Sequence, residues 1–385
     1  MESKPRKAHS LTGRITYGLM LDSFKAVKRN RGAAGVDKVS ITMFEANLEQ
    51  NLLALMKSLK DRSFQPQPLR RVLIPKNEKE FRPLGIPAVK DRVAQEVVRR
   101  LLDPIFDPLF HSASFGFRKG RNCHMAVQMA LDLHDQGYRI VLDADIKAFF
   151  DSLPHSVIMQ AVAQYVADGN ILRLVEKFLA SGVMENGVFK PTTIGTPQGG
   201  VISPLLANIA LNTLDWQLHA AGFRFVRYAD DLVVLCQSDS QAKEALTLVS
   251  HALLQLGLQL SPEKTRITSY SEGYSFLGFV LSKCSRCMRP KSLLKFKDKI
   301  RMLTRRKHNF DASKIQQLNR VIRGTALYFA TPFATTRKLF RSLDSWIRMR
   351  LRCMKTKRKS RHDNRKLPNK VFARLGLITL RSFCV

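Results

Sequence analysis

Two places in the sequence set aspartates against apolar runs. Leu142-Asp143-Ala144-Asp145-Ile146-Lys147-Ala148-Phe149-Phe150-Asp151 puts Asp145 at the end of an apolar strand, and Tyr228-Ala229-Asp230-Asp231 puts adjacent carboxylates between two more. A charge in such surroundings is costly without a compensating cation. Carboxylates from the ends of separate strands can converge on two divalent ions roughly 3.5 to 4 Å apart, an arrangement that activates a hydroxyl and stabilises a leaving oxygen in phosphoryl transfer. Their all-oxygen donor set points to Mg²⁺. Asp-Asp alone is an ordinary turn signal, but it does not stand alone. Between the acidic sites runs Gly195-Thr196-Pro197-Gln198-Gly199-Gly200-Val201-Ile202-Ser203-Pro204, a glycine-rich loop opening an apolar helix. Its small residues let backbone and substrate approach closely, and Gln198 offers amide donors and acceptors to a base or sugar.

These residues need strands and helices to hold them. Val72-Leu73-Ile74-Pro75, Arg139-Ile140-Val141-Leu142, Phe225-Val226-Arg227-Tyr228 and Leu232-Val233-Val234-Leu235 read as strands, the last two flanking a tight turn. Helical patterns cover residues 91–103, 122–136, 155–168 and 240–256. With no internal repeat, this intermixing makes the body α+β or α/β. Strand alternation predicts that one of Phe149 and Phe150 is core; Trp216 and Trp346 also read as core, Asp143 as structural and Asp151 as a cap. Cys284 and Cys287 have the spacing of half a zinc site but no matching second pair, which argues against metal there. His124 reads as a structural residue.

Charge divides the chain into two jobs. Of 64 Lys+Arg and 31 Asp+Glu, residues 281–385 hold 30 basic and only 4 acidic, a net of +26, leaving +7 for the first 280 residues. Such an excess points to a polyanionic partner, nucleic acid first. Apolar residues still recur at helical spacing around Ile315, Leu318, Val321 and Ile322, and around Leu339, Phe340, Leu343, Trp346 and Ile347, so the basic region folds as amphipathic helices. No run of eighteen apolar residues exists, the N-terminus lacks the apolar core of a signal peptide, and six scattered cysteines make no disulfide framework. The expectation is a bacterial, cytoplasmic protein without a membrane partner.

The order strand-Asp, Gly-Pro-Gln-Gly loop, Tyr-x-Asp-Asp hairpin resembles the reverse transcriptases, and more narrowly the reverse transcriptase/maturases of group II introns. Gly32-Ala33-Ala34-Gly35-Val36-Asp37 is similar to that family's N-terminal extension. Arg70-Arg71-Val72-Leu73-Ile74-Pro75-Lys76, Arg82-Pro83-Leu84-Gly85-Ile86-Pro87 and Ser114-Phe115-Gly116-Phe117-Arg118 resemble its fingers, and Phe276-Leu277-Gly278-Phe279, Arg289-Pro290-Lys291, Leu318-Asn319, Arg323-Gly324 and Tyr328-Phe329 its thumb or maturase-specific domain. The resemblance implies an α+β right-hand polymerase: N-terminal extension and fingers over 1–137, palm over 138–280, and a helical thumb/maturase domain over 281–385. It makes Asp145, Asp230 and Asp231, with the backbone carbonyl of Ile146, the ligands of two Mg²⁺, with Mn²⁺ as a substitute. Lys76 and Arg82 would grip a nucleotide triphosphate, Phe150 would lie under the sugar and exclude a 2′-hydroxyl, and Gln198 would line the nascent base-pair pocket.

The activity so implied is RNA-directed DNA polymerisation. It takes an RNA template, a DNA or RNA primer and deoxynucleotide triphosphates, with intron RNA bound to assist splicing and retrohoming. The alternatives are a splicing cofactor with little polymerase use, or a reverse transcriptase domesticated for repair or defence; an RNA-dependent RNA polymerase is disfavoured by Phe150. Many relatives continue into a nuclease domain, and the expectation is that this chain does not. The resemblance leaves the oligomeric state open.

Overall fold

The computed structural model describes residues 7–75, 81–196, 199–308 and 310–384. The chain begins with helices α1 (Tyr17–Arg29), α2 (Ile41–Ala46) and α3 (Leu48–Lys60), then the hairpin β1 (Leu69–Pro75) and β2 (Phe81–Ile86), and helices α4 (Val89–Phe106) and α5 (Cys123–Asp135). Strand β3 (Ile140–Asp145), helices α6 (Phe149–Ser152), α7 (His155–Ala163) and α8 (Gly169–Leu179), the short strands β4 (Val183–Glu185) and β5 (Val188–Lys190) and helix α9 (Ser203–Ala220) follow. Next come β6 (Arg224–Tyr228), β7 (Asp231–Cys236), α10 (Asp239–Gln255) and β8 (Arg266–Ser269). The remainder contributes β9 (Tyr274–Phe276), β10 (Phe279–Leu281) and β11 (Arg286–Met288), then α11 (Pro290–Leu303), α12 (Ala312–Phe329), α13 (Arg337–Thr356), α14 (Asp363–Lys366) and α15 (Asn369–Arg374). Two compact units result: Met1–Met129 with Leu142–Ile267, and Ala130–Val141 with Thr268–Val385. Among the described residues no helix is long and apolar enough to cross a membrane.

In the first unit the sheet that carries the acidic residues has the order β6-β7-β3-β8, and a second sheet runs β2-β1-β4-β5. The predicted apolar strands β6 and β7 bury almost every residue. Helix α9 opens on Pro204, which suits a first turn because it has no N–H to leave unpaired. It buries Leu205, Leu206, Ala207, Ile209, Ala210, Leu211, Leu214 and Leu218. Helix α4 is buried on its polar side as well as its apolar one, with Asp91, Arg92, Gln95 and Glu96 all inside. Burial pushes the Asp91 carboxyl up to about 6. The helical pattern expected over 155–168 divides instead: α7 stops at Ala163, and Asp168 caps α8 by accepting from the Asn170 and Ile171 amides.

In the second unit β9, β10 and β11 form an antiparallel sheet, and fully buried Phe279 packs against Tyr328, Phe329 and Phe333. Helix α12 buries Ile315, Leu318 and Ile322, and α13 buries Phe340, Leu343 and Ile347. The end of the chain is fastened through Asp344, whose carboxylate accepts from the Leu380 and Arg381 amides at 2.8 and 3.1 Å. Trp346 is not core as expected: it is half-buried, with the Arg301 guanidinium over its ring. Cys284 lies in the turn between β10 and β11, and Cys287 on β11.

Buried His134 is held neutral in this unit. It stacks on Tyr270 at 3.8 Å, its Nδ1 lies 2.7 Å from the Tyr138 carbonyl and its Nε2 lies 3.0 Å from the Tyr274 hydroxyl, a pattern that suits one ring proton. Burial pulls its pKa down to about 4. The unfolded chain therefore takes up a proton near pH 6.5 that the folded chain refuses until about pH 4. The contribution to stability is complete above pH 6.5 and is lost as pH falls, reaching up to about 3 kcal/mol near pH 4. Urea unfolding at a series of pH values should show His134→Phe with a shallower loss of stability between pH 6.5 and 4 than the parent.

Candidate active site

Asp145 stands at the end of β3 because the strand's ladder carries on past it. The Asp145 carbonyl accepts from the Ser261 amide at 2.8 Å and the Lys147 amide donates to Gln259 at 2.9 Å, around the antiparallel bridge between Ile146 and Leu260. In that pattern Ile146 turns its own N–H and C=O away from the 259–261 segment. Lys264 sets its Nζ 3.1 Å from Asp145 Oδ1, and Asp143, two residues back on the same face, pairs with Arg266 at 3.3 Å. Burial raises the Asp143 carboxyl despite Arg266.

Asp230 and Asp231 come from the hairpin β6–β7, in which Tyr228 pairs with Asp231 across a two-residue turn of Ala229 and Asp230. Ala229 is left-handed, with φ +57°, an unfavourable conformation for a residue with a Cβ. Arg227 and Gly116 hold it there. Arg227, fully buried, donates from Nη1 to the Ala229 carbonyl at 2.9 Å and to Asn208 Oδ1 at 3.0 Å. Its other edge makes a forked pair with fully buried Asp215 on α9, at 2.7 and 2.5 Å. Gly116 lies so close that a Cβ there would sit 2.4 Å from the Ala229 nitrogen, and its carbonyl accepts from Asn208 Nδ2 at 2.7 Å.

The carboxylates act on one another. Desolvation raises the Asp230 carboxyl, and the charge of Asp145 raises it further, against the lowering charges of Arg82 and Arg227. Asp231 is exposed at the start of β7. Among the described residues no three His, Cys, Asp or Glu side chains are already gathered at metal-binding distance. The donors nevertheless suit a hard divalent cation: an Asp230 carboxyl raised by desolvation and by the charge of Asp145, an outward-turned carbonyl at Ile146, and a lysine ammonium standing as cation on Asp145.

Arg82 is exposed on β2, opposite Ile74. Phe149 is buried and Phe150 half-buried, but the reason is not strand alternation: both lie on the short helix α6, with rings 5.1 Å apart. The glycine loop is tied on both sides of its centre. Thr196 N–H donates to the Phe150 carbonyl at 2.6 Å, and Gly195 N–H to Leu153 at 2.9 Å. Beyond the centre, a Cβ on Gly199 would stand 2.3 Å from the Gly85 carbonyl, and Val201 N–H donates to Gln95 Oε1 at 2.7 Å. Lys76 and Gln198 lie outside the described residues.

Sequence reading missed the supports. Gln95 holds the glycine loop, Asp91 accepts from the Gln67 amide at 2.9 Å, and Arg92 donates to the Ala33 carbonyl at 2.5 Å, all from α4. Arg227 was visible as a charge inside the apolar run Phe225-Val226-Arg227-Tyr228, and Asp215 as one inside an apolar helix, but nothing linked them. Trp216, expected in the core, is 47% exposed on α9.

Residues 74–281 match the family described as "Reverse transcriptase (RNA-dependent DNA polymerase)", and residues 293–372 match "Group II intron, maturase-specific domain". The chain belongs to the group II intron reverse transcriptase/maturase family. Protein YkfC of Escherichia coli K12 is 34% identical over an alignment covering 63% of this chain and 74% of YkfC. Group II intron-encoded protein LtrA of Lactococcus lactis is 32% identical, covering 60% of this chain and 49% of LtrA, so the chain spans about half of that relative. A solved telomerase from Candida albicans aligns over 87% of this chain and 66% of its own, at 14% identity and a TM-score of 0.45. The two family matches, with the strands and helices described above, give the chain an α+β right-hand polymerase fold, a reverse transcriptase domain followed by a mainly helical maturase-specific segment. Reverse transcriptases use divalent metal, and the two domains imply RNA as a partner.

The Arg227–Asp215 pair gives the site's first test. Arg227→Met strands a buried carboxylate and should destabilise the protein by about 3–5 kcal/mol, whereas Arg227→Met with Asp215→Leu should recover much of that. Urea unfolding of the single and double variants measures both.

Proposed function

We propose that the chain copies RNA into DNA, and that Asp145, Asp230 and Asp231 are its catalytic residues. The observation that carries this reading is that the charge of Asp145, at the end of β3, reaches desolvated Asp230 at the turn of the neighbouring β6–β7 hairpin in the same sheet. These carboxylates, with the Ile146 carbonyl, would hold two Mg²⁺, for which Mn²⁺ is a substitute. The ions supply charge stabilisation at the attacking and leaving oxygens. In the reaction the primer 3′-oxygen bonds to the α-phosphorus of a deoxynucleotide triphosphate, its proton goes to solvent, the bond to the bridging oxygen breaks and pyrophosphate leaves.

The surrounding side chains orient the reactants. Arg82 offers a planar fork to the triphosphate, and Lys76 would add a point charge. Phe150 lies under the sugar, tied through its carbonyl to Thr196 of the loop that carries Gln198. The template is RNA and the primer DNA or RNA. The basic segment 281–385 supports a second role on the same chain, clamping intron RNA by backbone charge to assist splicing.

Primer extension on an RNA template with deoxynucleotides and Mg²⁺ is the test. Asp230→Asn should lose at least about a hundredfold in rate while RNA affinity stays within a few fold. A near-parental rate for Asp230→Asn would remove it from the ligand set. Failure of the parent to extend, with RNA still bound, would leave the splicing role. Phe150→Ala should raise ribonucleotide incorporation relative to deoxynucleotide, read by running the same assay with each nucleotide class.

A further inference from the structure

Strand β3 and the segment that leads into β8 are joined by paired charges as well as by backbone. Asp143 Oδ2 faces Arg266 Nε at 3.3 Å, and two residues along, Asp145 Oδ1 faces Lys264 Nζ at 3.1 Å. The lysine is delivered there by the chain. Its own amide donates to the Ser261 carbonyl at 3.2 Å, in a turn whose Ser261 amide donates to the Asp145 carbonyl at 2.8 Å. The Asp145 amide in turn donates to the Thr265 hydroxyl at 3.3 Å. Backbone contacts to Asp145 thus fix the point from which the Lys264 side chain starts.

The two pairs differ in how readily they come apart. Asp143 is the more enclosed of the two acids, and its partner is a guanidinium. Lys264 is 57% exposed and Asp145 37%. An ion pair so open to water is weak, shifting an equilibrium by roughly two- to fivefold, and an ammonium is a point charge without the fork of a guanidinium. A divalent ion at the same oxygen carries twice the charge, and hard carboxylate oxygens are its preferred donors.

We propose that Lys264 is a positioning residue for the metal site: its ammonium holds Asp145 Oδ1 until a divalent ion displaces it, and this exchange sets the affinity of the site. The proposal rests on the reading of Asp145 as a metal ligand and adds what controls its loading. The direction follows from charge. The ammonium partly neutralises the Asp145 charge that bears on Asp230. Without it the carboxylates are less balanced and the incoming ion meets one fewer cation, and both effects favour the divalent ion. The lysine therefore steadies the acidic site at a cost in metal affinity.

Titration of the full chain with Mn²⁺, the free ion being followed by electron paramagnetic resonance without nucleic acid or nucleotide, measures that affinity independently of activity. Lys264→Met should bind Mn²⁺ about three- to tenfold more tightly than the parent. Lys264→Arg, which keeps the charge and adds a fork, should bind it no more tightly than the parent. Lys147→Met removes an exposed lysine two residues from Asp145 and should stay within about twofold of the parent. A gain in affinity separates displacement from a structural role, because damage to the turn loosens the site. Asp145→Asn tests the underlying reading and should weaken Mn²⁺ binding by at least about tenfold. If Asp145→Asn does so while Lys264→Met binds no more tightly than the parent, the proposal is overturned and the metal-ligand reading stands. An equal gain from Lys147→Met also overturns it, since the general field then accounts for the effect. If Asp145→Asn changes nothing, both fall.

Discussion

The hairpin that presents Asp230 depends on a charge pair that never meets solvent. Arg227 and Asp215 are both fully buried, and their forked pair joins β6 to α9. The guanidinium's remaining nitrogen reaches the Ala229 carbonyl, one residue before Asp230. A buried ion pair adds little net stability over an apolar core, but breaking it is costly, which makes it suited to fixing one geometry among several. Here it fixes a left-handed alanine that nothing in its own residue type favours. Gly116 makes room for the arrangement from the other side.

From that anchor the electrostatics follow. Asp230 is presented in a desolvated position where the charge of Asp145 opposes its own. The surrounding cations, Arg82, Arg227 and Lys264, moderate this repulsion from different distances. The near-balanced charge of the first 280 residues contrasts with the +26 of the remainder. One part of the chain concentrates negative charge at a few atoms and the other spreads positive charge over helices.

Much of this was written in the sequence. Short apolar runs marked β3, β6 and β7, and the aspartates at their ends marked the candidate site, because burial of a carboxylate is costly enough to need a reason. The helices of the basic segment showed through their spacing despite the charge. Pairings between distant residues were not readable. Arg227 with Asp215, Gln95 with Val201, and Asp344 with the Leu380 amide each join elements that only tertiary folding brings together. Trp216 was misjudged because helical spacing tells which face a residue occupies and not whether another element covers that face; here its indole hydrogen bond fixes the ring at an open cavity edge.

The buried polar face of α4 has a mechanical consequence. Asp91 takes the amide of Gln67 ahead of β1, Arg92 takes the carbonyl of Ala33 between α1 and α2, and Gln95 takes the amide of Val201 in the glycine loop. Three chain segments far apart in sequence therefore share one rigid rod as their datum. All three anchors fall within Asp91–Gln95, little more than one turn, so a substitution that unwinds the start of α4 loosens all three segments at once.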